Sequence, residues 1–271
     1  MCGIVGILAY DSSAPPVDRE EAWRIREAMS SRGPDGAGLW ISPDERVALA
    51  HRRLSIIDLS EAGAQPMGSP DQSVWVVFNG EIYNYRELRD NLETRGHRFR
   101  SHSDTEVLLH LYQEYGSKMI GQLRGMYAFA IWDDANKSLL LGRDPFGIKP
   151  LYYADDGKTL RFASQVKALQ AGGAVASEPE PAGHAGFFLW GYVPEPYTLF
   201  RGVRALPAGS ILIKGLQEKA KVQNFCAIHE EIEKAYSTGE NTETNRNAIQ
   251  YELKQALEDS IRHHLVADVP V

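Results

Sequence analysis

The sequence predicts a fold in which α-helices and β-strands form separate layers, because the two do not alternate regularly along the chain. Short strand-like runs separated by turn residues fill the first part of the chain, and a few helical patterns interrupt them. With 271 residues, of which 43% are apolar and 24% charged, the chain can bury a sizeable core. We therefore expect a globular protein, and the net charge of −7 argues against nucleic acid or an anionic membrane as its main partner.

The predicted strands are short apolar or alternating runs bounded by turn residues. The continuous apolar run Val74–Phe78 is typical of a strand that is covered on both faces. Two runs joined by the turn-forming residues 133–137 predict a β-hairpin. In chain order, strands are predicted at Cys2–Tyr10, Ala37–Ser42, Val47–Arg53, Val74–Phe78, Met126–Trp132, Ser138–Gly142 and Ser210–Ile213.

Helices are predicted where a capping residue precedes a run with helical spacing. Asn84 and Ser103 are each followed three positions later by a glutamate, which is typical of a helix N-terminus. Gly96 and Gly116 are predicted to end these two helices. Two further helices are predicted at Arg19–Ser31 and Ala248–Leu265.

The C-terminal part of the chain reads differently from the rest. Two stretches, Ala171–Gly186 and Tyr236–Asn247, are predicted as connectors from their composition. The helix that follows carries apolar residues four positions apart, namely Ile249, Leu253, Leu257 and Ile261. The sequence then ends with Val266–Val271, an apolar, strand-like stretch without a polar tail, so we expect the sequence to be cut short there.

The chain has two cysteines, Cys2 and Cys226, which does not favour a disulfide framework and predicts a reducing, cytoplasmic environment. The apolar run Met1–Leu8 has no preceding positive charge and no small-residue cleavage site, so it is not predicted to be a signal peptide. No stretch approaches the ~20 apolar residues of a membrane span.

Cys2 is a candidate nucleophile because of its position. A small residue after Met1 normally allows the initiator methionine to be removed, which leaves Cys2 with a free α-amine beside its thiol. Such an amine has a reference pKa of roughly 7.7–8.0, so near neutral pH it can take the thiol proton. Position alone favours an ordinary buried cysteine in a first strand.

Four further residues could serve an acyl transfer from a substrate that carries a carboxylate and an ammonium group. The Asn79-Gly80 pair, predicted as a tight turn after a buried strand, offers a side-chain amide and a backbone N–H to an oxyanion. Arg53 and Asp104 could bind the two charged ends of the substrate. Taken singly, each has an ordinary explanation: a hairpin turn, a solvated arginine and a helix-dipole aspartate.

Other kinds of site are not supported by the sequence. The eight histidines are scattered without metal-ligand spacing, so no metal site is expected. The glycine-rich stretch Gly33–Gly38 follows a helix and precedes a strand, which is the reverse of a dinucleotide loop.

Seven blocks stand in fixed order along the chain: Met1–Ile7, Arg32–Asp35, His51–Asp58, Gly63–Met67, Phe78–Asn84, Ser103–Glu106 and Gly142–Tyr152. Together they closely resemble the glutaminase domain of glutamine-hydrolysing asparagine synthetases, and the resemblance covers residues 1 to about 213. That domain is a class II glutamine amidotransferase, and its N-terminal-nucleophile hydrolase fold is an αββα sandwich of two mainly antiparallel sheets between helix layers.

The resemblance implies a role for each matching residue. Cys2, after loss of Met1, would be the nucleophile and its α-amine the general base, while Asn79 and Gly80 would form the oxyanion hole. Arg53 would hold the α-carboxylate of L-glutamine, and Glu81 and Asp104 its amino end. The remaining site-lining residues would be Leu54, Ser55, Ile56 and Ile57. Glutamine would pass through a γ-glutamyl thioester to glutamate and ammonia.

The resemblance also implies a division of the chain. Residues 1–213 would be the glutaminase domain, 214–247 a linker, and 248–271 the start of an ATP-dependent synthetase domain that is cut short. The glutaminase would need no cofactor or metal, whereas the synthetase domain would use ATP and Mg²⁺ to convert aspartate to asparagine with the ammonia. Expected partners are L-glutamine, the synthetase domain of the same polypeptide and a second copy in a homodimer.

Two alternatives stay open at this point. The same glutaminase could feed another acceptor, as in β-lactam synthetase-like or polysaccharide-amidating relatives. A non-catalytic scaffold or regulatory domain could also keep this fold, although the presence of Cys2 argues against it.

Overall fold

The computed structural model of the protein describes residues 1–216, 218–226, 228–237 and 246–269. Within these ranges the chain forms two six-stranded sheets in which every strand pair is antiparallel. The strands are β1 (Gly3–Ala9), β2 (Gly36–Ile41), β3 (Val47–Arg53), β4 (Met67–Gly68), β5 (Val74–Ile82), β6 (Gly125–Asp133), β7 (Ser138–Arg143), β8 (Tyr152–Asp155), β9 (Thr159–Ala163), β10 (Val203–Ala205), β11 (Ser210–Gly215) and β12 (Lys221–Asn224).

The strand order is β10-β8-β9-β1-β3-β2 in the first sheet and β12-β11-β7-β6-β5-β4 in the second. The helices are α1 (Arg19–Glu27), α2 (Tyr85–Thr94), α3 (Asp104–Tyr115), α4 (Val166–Ala171), α5 (Pro181–Trp190), α6 (Ile228–Ser237) and α7 (Arg246–His264).

Three apolar layers hold the fold together. The middle layer joins the inner faces of the two sheets, with Ile4 and Phe162 from the first sheet packed against Val77 and Trp132 from the second. An outer layer packs α1 and α4 on the first sheet. The other outer layer packs α2 and α3 on the second sheet. Helix, sheet, sheet and helix therefore follow one another, as predicted.

The predicted strands are all present, and the predicted hairpin is the β6–β7 pair. Sequence reasoning missed the β8–β9 hairpin and the short strands β4, β10 and β12. Helix α1 ends at Glu27 rather than Ser31, because residues 28–30 form turns instead. The predicted connector Ala171–Gly186 is wrong at its end, where Pro181 occupies the first turn of α5.

Both predicted N-cap residues lie at the start of their helices, but only one of them makes a side-chain capping bond. The Ser103 side chain accepts the Thr105 N–H at the start of α3, as a capping serine does. Asn84 sits at the N-cap of α2 but makes no capping bond. Its amide bonds instead to the carbonyl of Gln122 and the N–H of Arg124, so it connects the start of α2 to the residues just before β6.

The Asn79-Gly80 pair does not form a turn, so that prediction is wrong. Strand β5 continues to Ile82, with Asn79 opposite Ala128 and Gly80 opposite Tyr127 on β6. Glycine is needed at position 80 for space, since a Cβ there would lie 2.3 Å from the Met126 carbonyl oxygen. Close approach of two backbones is a recognised reason for glycine inside a strand.

The helix predicted near the C-terminus is present as α7. Its apolar stripe is not buried by the described residues. Ile249, Leu253, Leu257 and Ile261 are each about half exposed. The helix contacts the residue before β6 through an Arg124–Asp259 ion pair of 2.6 Å. Residues 266–269 form no strand, and part of the predicted connector, 238–245, lies outside the described residues, as do 270 and 271.

The predicted domain boundaries stay predictions. Strand β11 runs to Gly215 and pairs with β12, so the second sheet extends beyond residue 213. Across the described ranges, no helix has both the length and the apolar composition that crossing a membrane requires.

Candidate active site

A pocket of about 130 Å³ lies where the ends of β1, β3 and β5 meet the first turn of α3. Nearly all of the site residues predicted from the sequence line it. The predicted residues that line it are Cys2, Arg53, Leu54, Ile56, Ile57, Asn79, Gly80, Glu81 and Asp104. Ser55 is the exception: it does not line this pocket, and its N–H donates to the Asp35 carboxylate at 2.9 Å.

The Cys2 thiol lies against the backbone of Leu54. The Leu54 N–H donates to Sγ at 3.4 Å, and Sγ lies 3.5 Å from the Leu54 carbonyl oxygen. Burial raises the pKa of this thiol above its ordinary value. Arg32 holds the Cys2 carbonyl through Nε at 2.9 Å, and the Met1 α-amine donates to the Arg32 carbonyl at 3.2 Å. The cysteine is therefore fixed on both sides by backbone contacts.

One edge of β5 is covered by side chains instead of a strand, because the neighbouring strand β4 pairs only with Trp75 and Val76. The Phe78 N–H donates to the Gln65 side-chain oxygen at 2.6 Å, and the Ile82 N–H donates to the Asp104 carboxylate at 3.0 Å. Alternate amides of a strand point to the same side. The Gly80 N–H therefore points to this edge between the two occupied positions, toward the pocket.

The Asn79 side chain supplies a second donor. It is buried and lies on the same face of β5 as Val77, which belongs to the core between the sheets. Its Nδ2 finds no hydrogen-bond partner in the described part of the chain. A buried donor without a partner is costly, and this one stays available to an acceptor on a bound ligand.

The guanidinium of Arg53 is surrounded by a loop of the pocket rim. It donates to the carbonyl oxygen of Ser60 at 2.8 Å, to that of Ile57 at 3.5 Å and to that of Asp58. Gly63 leaves the necessary room, since a Cβ there would lie 2.3 Å from Nη2 of Arg53. The charge is thereby held at the pocket wall by neutral acceptors, so it stays available to an anion.

Two carboxylates, those of Asp104 and Glu81, also line the pocket. Burial raises the pKa of Asp104 to about 7, and the neighbouring Glu81 adds to the shift, while the bond from the Ile82 N–H opposes it. Burial also raises the pKa of Glu81, against the attraction of the Lys149 ammonium. A positively charged ligand group would favour the ionised form of both acids.

Sequence reasoning missed several residues of the pocket, among them Gln65, Thr105 and Lys149. Gln65 uses its whole amide, since Nε2 also donates to the Thr105 hydroxyl at 3.1 Å. Gln65 and Lys149 stand in the blocks Gly63–Met67 and Gly142–Tyr152, which carried the family resemblance but received no role. Their presence as polar residues inside these two blocks was a signal in the sequence that could have identified them as pocket residues.

Comparisons with known proteins identify the family of the chain. Residues 1–226 match the family described as glutamine amidotransferase domain. The whole chain is 38% identical to asparagine synthetase [glutamine-hydrolyzing] 1 of Bacillus subtilis strain 168, of which it covers 41%. It is 35% identical to asparagine synthetase B [glutamine-hydrolyzing] of Escherichia coli strain K12, again over 41% of that protein. The chain thus spans about two fifths of the length of these curated relatives.

Among solved structures, the chain is similar to the glutamine phosphoribosylpyrophosphate amidotransferase from B. subtilis complexed with ADP and GMP. The TM-score is 0.60 at 22% identity, and the match covers 83% of this chain and 49% of that one. This likeness confirms the predicted sandwich fold. Because the family match covers most of the sequence, the chain belongs to the glutamine amidotransferase domain family.

Proposed function

We propose that this domain hydrolyses the side-chain amide of L-glutamine to glutamate and ammonia, with Cys2 as the nucleophile after removal of Met1. One observation carries the proposal. The Cys2 thiol shares a pocket with the Arg53 guanidinium and with the Asn79 amide, whose Nδ2 has no partner among the described residues. The thiol and the amide serve as nucleophile and oxyanion donor, and the cation can bind the α-carboxylate of the substrate.

The chemistry follows from the position of these groups. The α-amine of Cys2, free once Met1 is gone, takes the thiol proton, and the thiolate attacks the amide carbon. Negative charge develops on the amide oxygen, where the Asn79 Nδ2–H and the Gly80 N–H can donate to it. The protonated amine returns its proton to the departing nitrogen, which leaves as ammonia. Water then attacks the γ-glutamyl thioester and releases glutamate and the thiol.

The charges of the pocket fit the two ends of glutamine. Arg53 binds the α-carboxylate, and Glu81 and Asp104 receive the α-ammonium group. Leu54, Ile56 and Ile57 pack along the aliphatic stem. Ser55 acts outside the pocket, through its bond to Asp35. An ammonium group beside Asp104 lowers the pKa of that carboxyl, so bound substrate and ionised acid stabilise each other.

The wider role is part of the same proposal. The ammonia serves an ATP- and Mg²⁺-dependent synthetase domain of the same polypeptide, which converts aspartate to asparagine in the cytoplasm. Relatives named asparagine synthetases support this assignment. The glutaminase step itself uses no cofactor, and a homodimer is a further expectation. Acceptors other than aspartate remain the second candidate, since nothing in the glutaminase pocket contacts the acceptor.

Ammonia release from glutamine tests the proposal directly. The chain with Met1 removed should release ammonia, whereas the form that keeps Met1 should be inactive because its Cys2 amine is in a peptide bond. Cys2→Ala should abolish turnover. Cys226→Ala is the matched control, since the Cys226 N–H bonds to the Asn224 side chain and the residue does not line the pocket. Full activity in Cys2→Ala would overturn the mechanism, and an inactive processed chain would favour a scaffold role.

A further inference from the structure

The segment that follows α7 returns to the glutamine pocket and bonds to its rim. The Asp268 N–H donates to the carbonyl oxygen of Ile56 at 2.9 Å. The Asp268 carboxylate accepts the N–H of Asp58 at 2.7 Å. Two residues earlier, Val266 packs against the apolar layer beneath the second sheet. One residue from the far end of the sequence thus holds two positions of a loop near residue 57.

That loop, Ile56–Ser60, is here called the rim loop. Ile56 and Ile57 line the pocket, and the carbonyl groups of Ile57, Asp58 and Ser60 accept from the Arg53 guanidinium. The position of the rim loop therefore sets where the guanidinium can lie. A displaced loop would move the cation that we assign to the substrate carboxylate.

Besides the Arg53 bonds and the packing of Ile56 and Ile57 in the apolar layer, the rim loop is held by bonds of Asp58. The Asp58 carboxylate accepts from the N–H and hydroxyl of Ser60, which are contacts within the loop itself. It also accepts the N–H of His102 at 2.8 Å, which ties the loop to the start of α3. Asp58 has a positive φ of 52°, in the left-handed region that few non-glycine residues adopt. Asp268 therefore bonds to the rim loop at two positions, Ile56 and Asp58.

We propose that Asp268 is a positioning residue for glutamine binding: its two hydrogen bonds hold the rim loop, and the rim loop holds Arg53. The inference rests on the proposed glutaminase function. It predicts that Asp268 affects KM for glutamine and leaves kcat nearly unchanged, because Cys2, Asn79 and Gly80 lie outside the rim loop.

The contribution comes from hydrogen bonding more than from charge. Asp268 is exposed, so water screens its electrostatic interaction with the nearby Arg86. Replacement with asparagine keeps an oxygen that can accept the Asp58 N–H. Replacement with alanine removes the acceptor. The pair of variants therefore separates the two effects without disturbing a buried side chain.

The experiment compares glutaminase kinetics of Asp268→Ala and Asp268→Asn in the processed full chain. We expect KM for glutamine to rise about three- to tenfold in the alanine variant with kcat within twofold, and KM to return to within twofold of the unchanged chain in the asparagine variant. Asp259→Ala is the matched control, because Asp259 is also an exposed aspartate of the C-terminal region and pairs with Arg124 away from the rim loop. Its KM should not change.

The outcomes are distinct from those that test the function itself. An inactive unchanged chain contradicts the proposed function, whatever the variants do. With an active unchanged chain, an unaltered KM in Asp268→Ala overturns the positioning role. A fall in kcat at constant KM overturns it as well, and so does an asparagine variant as impaired as the alanine variant. Calorimetric titration of glutamine into the same variants on a Cys2→Ala background should show the matching weakening of binding.

Discussion

His51 donates its Nε2–H to the carbonyl oxygen of Phe78 at 3.0 Å, and this bond joins the two sheets one residue before Asn79. Burial lowers the pKa of His51 to about 3, so the ring is a neutral donor at any physiological pH. The Phe78 N–H is meanwhile taken by Gln65. Both polar groups of Phe78 are thus fixed, which places the following Asn79 side chain with little freedom.

Asn79→Ala should separate activity from stability. Removing one oxyanion donor costs roughly 10²–10³-fold in kcat. The free energy of unfolding should not fall by the amount typical of a lost hydrogen bond, because Nδ2 has no partner among the described residues. Gln65→Ala is the comparison: it strips the buried Phe78 N–H of its acceptor and should cost about 1–3 kcal/mol of stability. Kinetics and urea unfolding of the two variants decide the matter; equal stability losses would contradict the assignment.

Arg53→Lys should raise KM for glutamine about tenfold or more, because an ammonium group cannot keep the loop carbonyls and also bind a carboxylate through two parallel bonds. Arg52→Lys provides the control. Arg52 is the neighbouring residue of β3, faces the other side and pairs with Glu27. Steady-state kinetics should show its KM within twofold of the unchanged chain. A similar KM in both variants would exclude Arg53 as the carboxylate-binding residue.

Gly80→Ala should destabilise the fold by about 1–3 kcal/mol, since the added Cβ would meet the Met126 carbonyl oxygen at 2.3 Å and the Tyr127 Cα at 2.7 Å. These are backbone atoms of β6, so the two strands must separate. Gly121→Ala adds the same methyl group where no atom lies within 4 Å, and we expect a change below ~0.5 kcal/mol. Urea denaturation measures both, and equal effects would refute the close-approach argument.

Asp104 should make stability depend on pH. Its pKa is about 7 in the folded protein and about 3.9 in an unfolded chain. Between these values the folded protein holds a proton that the unfolded chain has released, so the free energy of unfolding falls as pH rises. From pH 5 to pH 8 the loss from this group is roughly 2–3 kcal/mol. Asp104→Asn should remove that part of the profile, as measured by urea unfolding at both pH values; parallel profiles would contradict the raised pKa.

The layered fold could be predicted because its strongest signals are local. The runs that became β1, β3, β5, β6 and β7 are apolar on both faces and bounded by turns, and the start of α3 carries its capping serine. The strands that were missed are short, and β4 has only two residues. Pairing with a neighbour, rather than intrinsic preference, makes such segments strands.

Most residues of the candidate site could be predicted from the sequence, whereas their arrangement could not. The residues Cys2, Arg53, Asn79 and Asp104 were identified from the sequence, and the structure places them in one pocket. The Asn-Gly pair suggested a turn because glycine usually reports a positive φ, whereas here it reports a crowded partner strand. No local pattern could reveal that Gln65 or Asp268 bonds to residues far away in the chain, since those bonds exist only after the sheets have packed.

The side chains that cover the edge of β5 have a consequence for the behaviour of the protein in concentrated solution. A bare strand edge offers a row of amides to any extended peptide and invites intermolecular pairing. Here Gln65 and Asp104 take the amides on either side of Gly80, so a foreign strand would find the neighbouring positions already filled. The edge leaves the single amide of Gly80 between two occupied ones and offers no row of amides to a second polypeptide, so we expect it to be a poor site for edge-to-edge aggregation.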